Sequence, residues 1–354
     1  MTKQRLLAAL TGAASTVFLL ISAQAGAQET QPPTPLFASH DVVDVRIEAP
    51  LTTLVRKRDD EEYLEGSFTF TDTDGMEKTV DLKLRTRGRY RLQKKTCPFP
   101  PVRLNFPKKQ VKDTLLDGQD KMKLVTHCNT RRDRFEQQVL REYLAYRLLQ
   151  TLTDRSFGAR LMHITWVDTE KEDPITRWGF VIEDDDDIGD RIGMERFGAA
   201  GLAYQILDQR HTNLISLYQY MIGNTDFSLI RGPADDDCCH NAVPFRVGEE
   251  KIISIPYDFD FSGLVDAPYA EPNPQFKIRK VTTRVYRGRC ADNGILPENL
   301  AYMIEKKPEM YAIIDGLTGL DDKNRREVTE YLDEFFEIAE DPRNVEKELI
   351  GKCN

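Results

Sequence analysis

The chain is short of several things, and each shortage removes a class of function. Beyond residue 27 no apolar run is long enough to span a bilayer, which leaves no stable membrane span in the rest of the chain. No C-x-x-C pair occurs among the six cysteines, so a thiolate metal centre is disfavoured. No G-x-G-x-x-G loop is present to cradle phosphates with backbone amides, and no internal repeat indicates a solenoid. Positive charge is also in deficit. Lys and Arg number 49 against 58 Asp and Glu, a formal net charge of -9, which argues against general nucleic-acid binding.

What is present begins with "MTKQRLLAALTGAASTVFLLISAQAGAQET". A basic start at Lys3 and Arg5 leads into an apolar stretch that ends in two small-x-small sites, at Ala23–Ala25 and Ala25–Ala27. That layout predicts a cleaved secretory signal over residues 1–27; an uncleaved anchor is the alternative. Losing Lys3 and Arg5 would take the net charge from -9 to -11. Residues 28–40, rich in Pro and Thr, read as a linker. The expected setting is therefore secreted or periplasmic. In an oxidising compartment an even set of cysteines predicts disulfides. The preferred pairs are Cys97–Cys128 and Cys290–Cys353, with the neighbours Cys238 and Cys239 left open.

The remaining chain divides by pattern. Residues 41–182 are strand-like around a single long helix, and residues 183–354 are helix-rich. "FTFTDTDGMEKTVDLKLRTRG" alternates on both sides of Asp72-Thr73-Asp74-Gly75, a hairpin signal. Its second strand sets Val80, Leu82 and Leu84 on one face and Asp81, Lys83, Arg85 and Arg87 on the other. "DRFEQQVLREYLAYRLLQ" predicts an amphipathic helix, with Asp133 and Glu136 as its N-terminal capping pair. "ARLMHITWVD" and "RWGFVIED" predict a strand pair. "TNLISLYQYMIGNTD" predicts a helix with one apolar face, stopped by Gly223. The whole is α+β, a sheet-rich first part and a helix-rich second part, and suggests two lobes with a cleft.

The chemistry-bearing residues follow that second helix. Asp226 lies on the loop after Gly223, His240-Asn241 comes fifteen residues later, and "IPYDFDF" delivers Asp258 and Asp260 at the exit of a strand. Two carboxylates at a buried strand's end need a cation or donors. A loop Asp, a downstream Asn and a strand-end Asp form the set that phosphoryl transfer uses. One carboxylate takes the nucleophile's proton, and the Asn and a second Asp hold magnesium against the phosphates. Runs such as Glu183–Asp187 read as solvated acidic loops, and His127, His163 and His211 as structural. A two-carboxylate glycosidase is a rival that carboxyl separation would decide.

On these residues the sequence resembles the CotH kinases, the spore coat protein H family of atypical protein kinases. The resemblance runs from about Leu82 to Leu264 and rests on "RTRGRYR", "FPPVRLNFPKK" with "KMKLV", "RDRFEQQVLREYLAYRLL", "GFVIEDDDDIGDRI" and "GNTDF…HNAVPF…IPYDFDFSG". Tyr257 stands where family members usually carry Trp. The resemblance implies a two-lobed atypical protein-kinase-like fold, with a β-rich N-lobe and a helix-rich C-lobe. It implies Asp226 as catalytic base, Asn241 with Asp258 or Asp260 as metal ligands, and Glu183 as an acidic residue at the lobe junction. For gripping ATP it leaves Arg103, Lys108, Lys109, Lys94 and Lys121 as candidates. Arg87, with Arg85, Arg89 and Arg91, could supply charge to phosphates, since arginine forks suit phosphate oxygens. The implied activity is transfer of the ATP γ-phosphate, with Mg2+, to Ser or Thr of a protein substrate in the cell envelope or outside the cell. The rival within the same fold is a catalytically silent binding or structural protein.

Overall fold

Seven strands close into a barrel in a computed structural model that describes residues 30–131, 134–171, 173–233 and 237–354. They are β1 (Val43–Ala49), β2 (Leu64–Thr71), β3 (Glu77–Thr86), β4 (Val102–Asn105), β5 (Lys121–Thr126), β6 (Ala159–Asp168) and β7 (Ile175–Ile182). The order around the barrel is β1-β2-β3-β4-β5-β7-β6, and the parallel pairing of β1 with β6 closes it. Every other pairing is antiparallel. Strand alternation does what period two requires: Val80, Leu82 and Leu84 are buried inside, while Asp81 and Lys83 are exposed. The β2–β3 turn is held as its residues suggested. Gly75 takes φ 79°, its N–H donates to the Asp72 carbonyl, and the Asp74 carboxylate accepts the Met76 N–H. Two short helices, α1 (Leu51–Lys57) and α2 (Lys108–Val111), lie against the barrel.

The helix α3 (Arg134–Leu152) lies behind the barrel against β5, β6 and β7, and its other side packs on α6 (Leu296–Gly316). The sequence pattern predicted one apolar face. Instead Arg141 and Glu142 are buried along with Leu140, Tyr143 and Leu144, because a helix between a barrel and a helical layer has no solvent face. The expected cap residue Asp133 lies outside the described residues, as does the signal segment 1–27. Glu136, its expected partner, instead accepts the backbone N–H of Trp178 on β7 at 2.8 Å. The helix α5 (Gln209–Met221) departs from expectation in the same way, with every residue from His211 to Met221 buried. Some of its polar positions are internally paired: Asn299 donates to Asn213 at 2.9 Å and Ser216 to the Thr212 carbonyl at 2.8 Å.

The remaining elements are α4 (Asp185–Ile192), the hairpin β8 (Ala242–Val247) and β9 (Lys251–Pro256), and the helices α6, α7 (Asp322–Glu340) and α8 (Pro342–Glu348). The larger hydrophobic core runs from Val125 through α3 to Leu349, and so crosses the end of β7 without interruption. A second core fills the barrel around Phe68, Leu104 and Trp166. All six cysteines pair: Cys97–Cys128, Cys238–Cys239 and Cys290–Cys353. This fits an extracellular setting, and the two long-range pairs are those preferred from sequence. Among the described residues no helix is long and apolar enough to cross a membrane.

The histidines set an acid-stability expectation. His127 is buried, stacked on Phe99 at 4.4 Å and bonded through Nδ1 to Thr126 at 2.9 Å, and burial lowers its pKa to about 3. Burial likewise takes His211 down to about 4, and partial desolvation with the nearby Arg147 and Arg160 charges does the same for His40. The three depressed groups stay neutral in the fold while the unfolded chain takes up protons below about 6.5. Stability should therefore fall as pH drops from about 6.5 towards 3 to 4. His127→Gln should flatten that slope by about one proton, read from chemical denaturation at several pH values. Parallel curves for wild type and variant would refute the assignment.

Candidate active site

Loop and hairpin geometry brings the distant acidic residues together. Gly223, at φ 64°, ends α5 against the Tyr331 hydroxyl, which leaves no room for a Cβ. Asn224, buried, turns its side chain to accept the Asp226 N–H at 2.9 Å, so Asp226 is presented by an Asx turn. Ser228 and His240 exchange two backbone hydrogen bonds and lay the Asp226 loop beside the entrance of β8. The antiparallel register of β8 and β9 pairs Ala242 with Pro256, and Tyr257 N–H donates to the Asn241 carbonyl at 3.0 Å. Asn241 and Asp258 thus flank one end of a single hairpin.

Both oxygens of Asp226 are held. His240 Nε2 lies 2.9 Å from Oδ1, and Asn241 Nδ2 donates to Oδ2 at 3.0 Å and to the Asp226 carbonyl at 2.7 Å. The hydrogen bond to Asp226 raises the His240 pKa above its ordinary value, with the Asp226 and Asp258 charges adding to it against burial. Arg287 clamps the same loop from behind, donating to the Thr225 carbonyl at 3.2 Å and to the Phe227 carbonyl. Asn273 donates to the Thr225 carbonyl at 2.9 Å.

Asp258 and Asp260 have different surroundings. Asp260 is 5 % exposed; it accepts the Tyr269 hydroxyl at 3.1 Å and lies 3.6 Å from Arg91 Nε. Arg91 also reaches Glu142 on α3 at 3.4 Å and Tyr269 at 3.0 Å. Burial, then the Asp258 charge, pushes the Asp260 carboxyl above its ordinary range, and burial lifts Glu142 to about 7. Asp258 is half-buried, at φ 61°, with its N–H donated to the Tyr146 hydroxyl at 2.8 Å. Among the described residues its carboxylate has no hydrogen bond and no ion pair. Asn241 too is left-handed, at φ 51°. Two non-glycine residues held in that region at one site mark backbone kept strained by its surroundings.

These residues line a cleft of about 1280 Å³. It gathers Asp226, Asn241, Asp258 and Asp260 with Arg87. Arg87 Nε is buried without a partner, and among the described residues its side chain makes no ion pair. Among the described residues the cleft is lined by six arginines and six carboxylic residues, and by no lysine.

The other predicted residues lie elsewhere. Glu183 is buried outside the cleft, accepting Arg191 on both oxygens at 2.9 and 2.8 Å and the Gly158 N–H at 2.7 Å; it locks α4 to the end of β7. Lys108 is exposed and pairs with Asp120 at 3.2 Å, and Lys109, Lys94 and Lys121 are exposed. Arg103 points outward from β4. Lys123, not among those candidates, pairs with the cleft residue Asp185 at 3.0 Å and lies over the Tyr257 ring. Sequence reasoning missed Glu142, Tyr269, Arg287 and the role of His240. A charged pair, Arg141-Glu142, inside an otherwise apolar helical run was the available signal for the first.

Glu142, Asp258 and Asp260 stand as three carboxyls against the two guanidiniums of Arg87 and Arg91. One negative charge is left for a proton or a cation. The free donors are hard oxygens, the Asp258 carboxylate and the Asn241 amide oxygen, which fit magnesium. Among the described residues no three His, Cys, Asp or Glu side chains form a complete metal cage, so a bound ligand would supply the remaining oxygens. No protein-family model and no curated protein matches the chain.

Proposed function

We propose that the chain is an exported, two-lobed, kinase-like phosphotransferase, secreted or periplasmic, that transfers the γ-phosphate of ATP to Ser or Thr of a protein. The observation that carries this reading is the hairpin that sets Asn241 and the open carboxylate of Asp258 beside Asp226 in one cleft. Asp226, fixed through both oxygens, would orient the substrate hydroxyl and take its proton. Arg87 would direct its unpaired guanidinium at phosphate oxygens. Arg91, paired with Glu142 of α3 and with Asp260, would support the strand-end segment. Asn241 and Asp258 would hold magnesium, which supplies neutralisation of charge on the phosphoryl group. Asp260, tied to Arg91 and Tyr269, braces the segment.

Among the described residues no lysine lines the cleft, and this favours the second reading, a silent binding protein of the same fold. Thermal unfolding of the mature protein with ATP, with and without magnesium, separates the cases. Nucleotide at a hundred times its dissociation constant should stabilise by about 2.7 kcal/mol, and the magnesium-dependent part should vanish in Asp258→Asn. Equal magnesium-dependent shifts in both proteins would remove Asp258 from the site. No shift with ATP in wild type would remove the nucleotide.

A further inference from the structure

Three strands of the barrel carry a row of like charges on their outer face. The register pairs Arg85 of β3 with Arg103 of β4, and Arg103 with Lys123 of β5. The next outward row is Lys83, Asn105 and Lys121. Between these positions Leu84, Leu104, Met122 and Leu124 point into the barrel core, so the five cations share one face. Like charges directly opposite on neighbouring strands destabilise a sheet, and here they occur twice in succession.

Relief is partial and confined to the ends of the row. Arg85 lies over the Tyr63 ring at 5.1 Å, and Lys123 pairs with Asp185 at 3.0 Å. On the second row Lys83 faces Glu65 across to β2. Arg103, in the centre, has nothing: its Nε is buried without a partner, and among the described residues its guanidinium makes no hydrogen bond or ion pair. A half-buried guanidinium between two cations is a site with its anion missing. The row also adjoins the cleft. Arg87, two residues beyond Arg85, and Pro101, two before Arg103, line it, as does Asp185.

We propose that this face docks an acidic, extended segment of the polypeptide whose hydroxyl enters the cleft, with Arg103 as the central contact. Outward residues repeat at roughly 7 Å along a strand, which matches carboxylates at alternate positions of an extended peptide. β3, β4 and β5 each have neighbours on both sides, so recognition is by side chains and not by strand addition. The identity of the occupant as a substrate rests on the phosphotransfer reading; its acidity rests on the cation row alone.

The test is fluorescence anisotropy on the full mature chain without nucleotide, so it is independent of activity. The probe is a labelled peptide with glutamates flanking a single serine, compared with the same peptide carrying glutamines. The glutamate peptide should bind at least tenfold tighter and lose affinity with rising salt. Arg103→Gln should weaken it by about tenfold, and Arg103→Lys by less. The Gln variant should keep wild-type magnesium–ATP binding and a thermal midpoint no lower than wild type, since it removes repulsion. If that variant fails to fold, the exposed pair Lys83→Gln with Lys121→Gln carries the same test. Equal binding of the two peptides, or unchanged binding by the variants, overturns the proposal. Tighter binding of a single-stranded oligonucleotide than of the glutamate peptide overturns it as well, and so does loss of ATP binding in Arg103→Gln. Peptide binding without any phosphate transfer would refute the phosphotransferase and leave the docking face standing.

Discussion

Asp226→Asn should lower phosphate transfer by about 10²–10⁴-fold while leaving magnesium–ATP binding near wild type. Asparagine keeps the size of the side chain and one oxygen to accept from His240 or Asn241, so the Asx turn presenting the loop should survive. What it removes is the ability to take a proton. The readout is labelled phosphate incorporated into the protein itself or into co-exported proteins, beside a nucleotide-binding measurement. Equal transfer by wild type and variant would show that Asp226 is not the base. Transfer by neither, with ATP bound by both, would favour the silent protein. Loss of ATP binding in the variant would make Asp226 a ligand instead.

Arg91→Met should be the most damaging single change to stability, at about 3–5 kcal/mol. Arg91 is 9 % exposed and is the shared cation of Glu142 and Asp260. Removing it strands two buried carboxyls, because methionine fills the volume but supplies no charge. The deficit should narrow as pH falls, since carboxyls whose folded pKa is raised are relieved once they bury as neutral acids. Chemical denaturation at neutral and mildly acidic pH measures both effects. A loss below about 1 kcal/mol at neutral pH would mean that water, not Arg91, satisfies the pair. Adding Glu142→Leu to Arg91→Met should recover part of the loss, because one stranded charge is then gone.

Strand alternation made the inward face of β3 legible at Val80, Leu82 and Leu84, although the strand stops at Thr86, one residue short of the expected Arg87, and the apolar runs located α3, α5 and β9. The sequence could not say which faces of α3 and α5 are buried. Helical periodicity reports amphipathicity only when one face meets water, and both helices are covered all round. That is why Glu142 escaped notice: in a helix expected to be amphipathic, a charged residue stands out only once the face it lies on is known to be covered. The candidate residues of the site were visible because Asp226, Asn241, Asp258 and Asp260 each lie close beyond or before an element's end. The cations were harder. Lys108 and Lys109 follow a strand and read as ligands, yet they decorate a helix away from the cleft, whereas Arg91 is buried within it. Which of two aspartates stays open depended on Tyr269 and Arg91, more than a hundred residues apart, and no local pattern encodes such a meeting.

The Cys290–Cys353 bond also defines how the molecule would carry mechanical load. A pull applied at residue 354 cannot peel α8 away from the body, because the covalent link passes the tension to residue 290. Backbone hydrogen bonds from Cys290 to the Asn354 carbonyl and from Asn354 to the Gly288 carbonyl share that junction. Three residues upstream of it, Arg287 grips the carbonyls of Thr225 and Phe227. Tension entering there is delivered to the loop that presents Asp226, while α6, α7 and α8 lie on a closed ring that bears none of it.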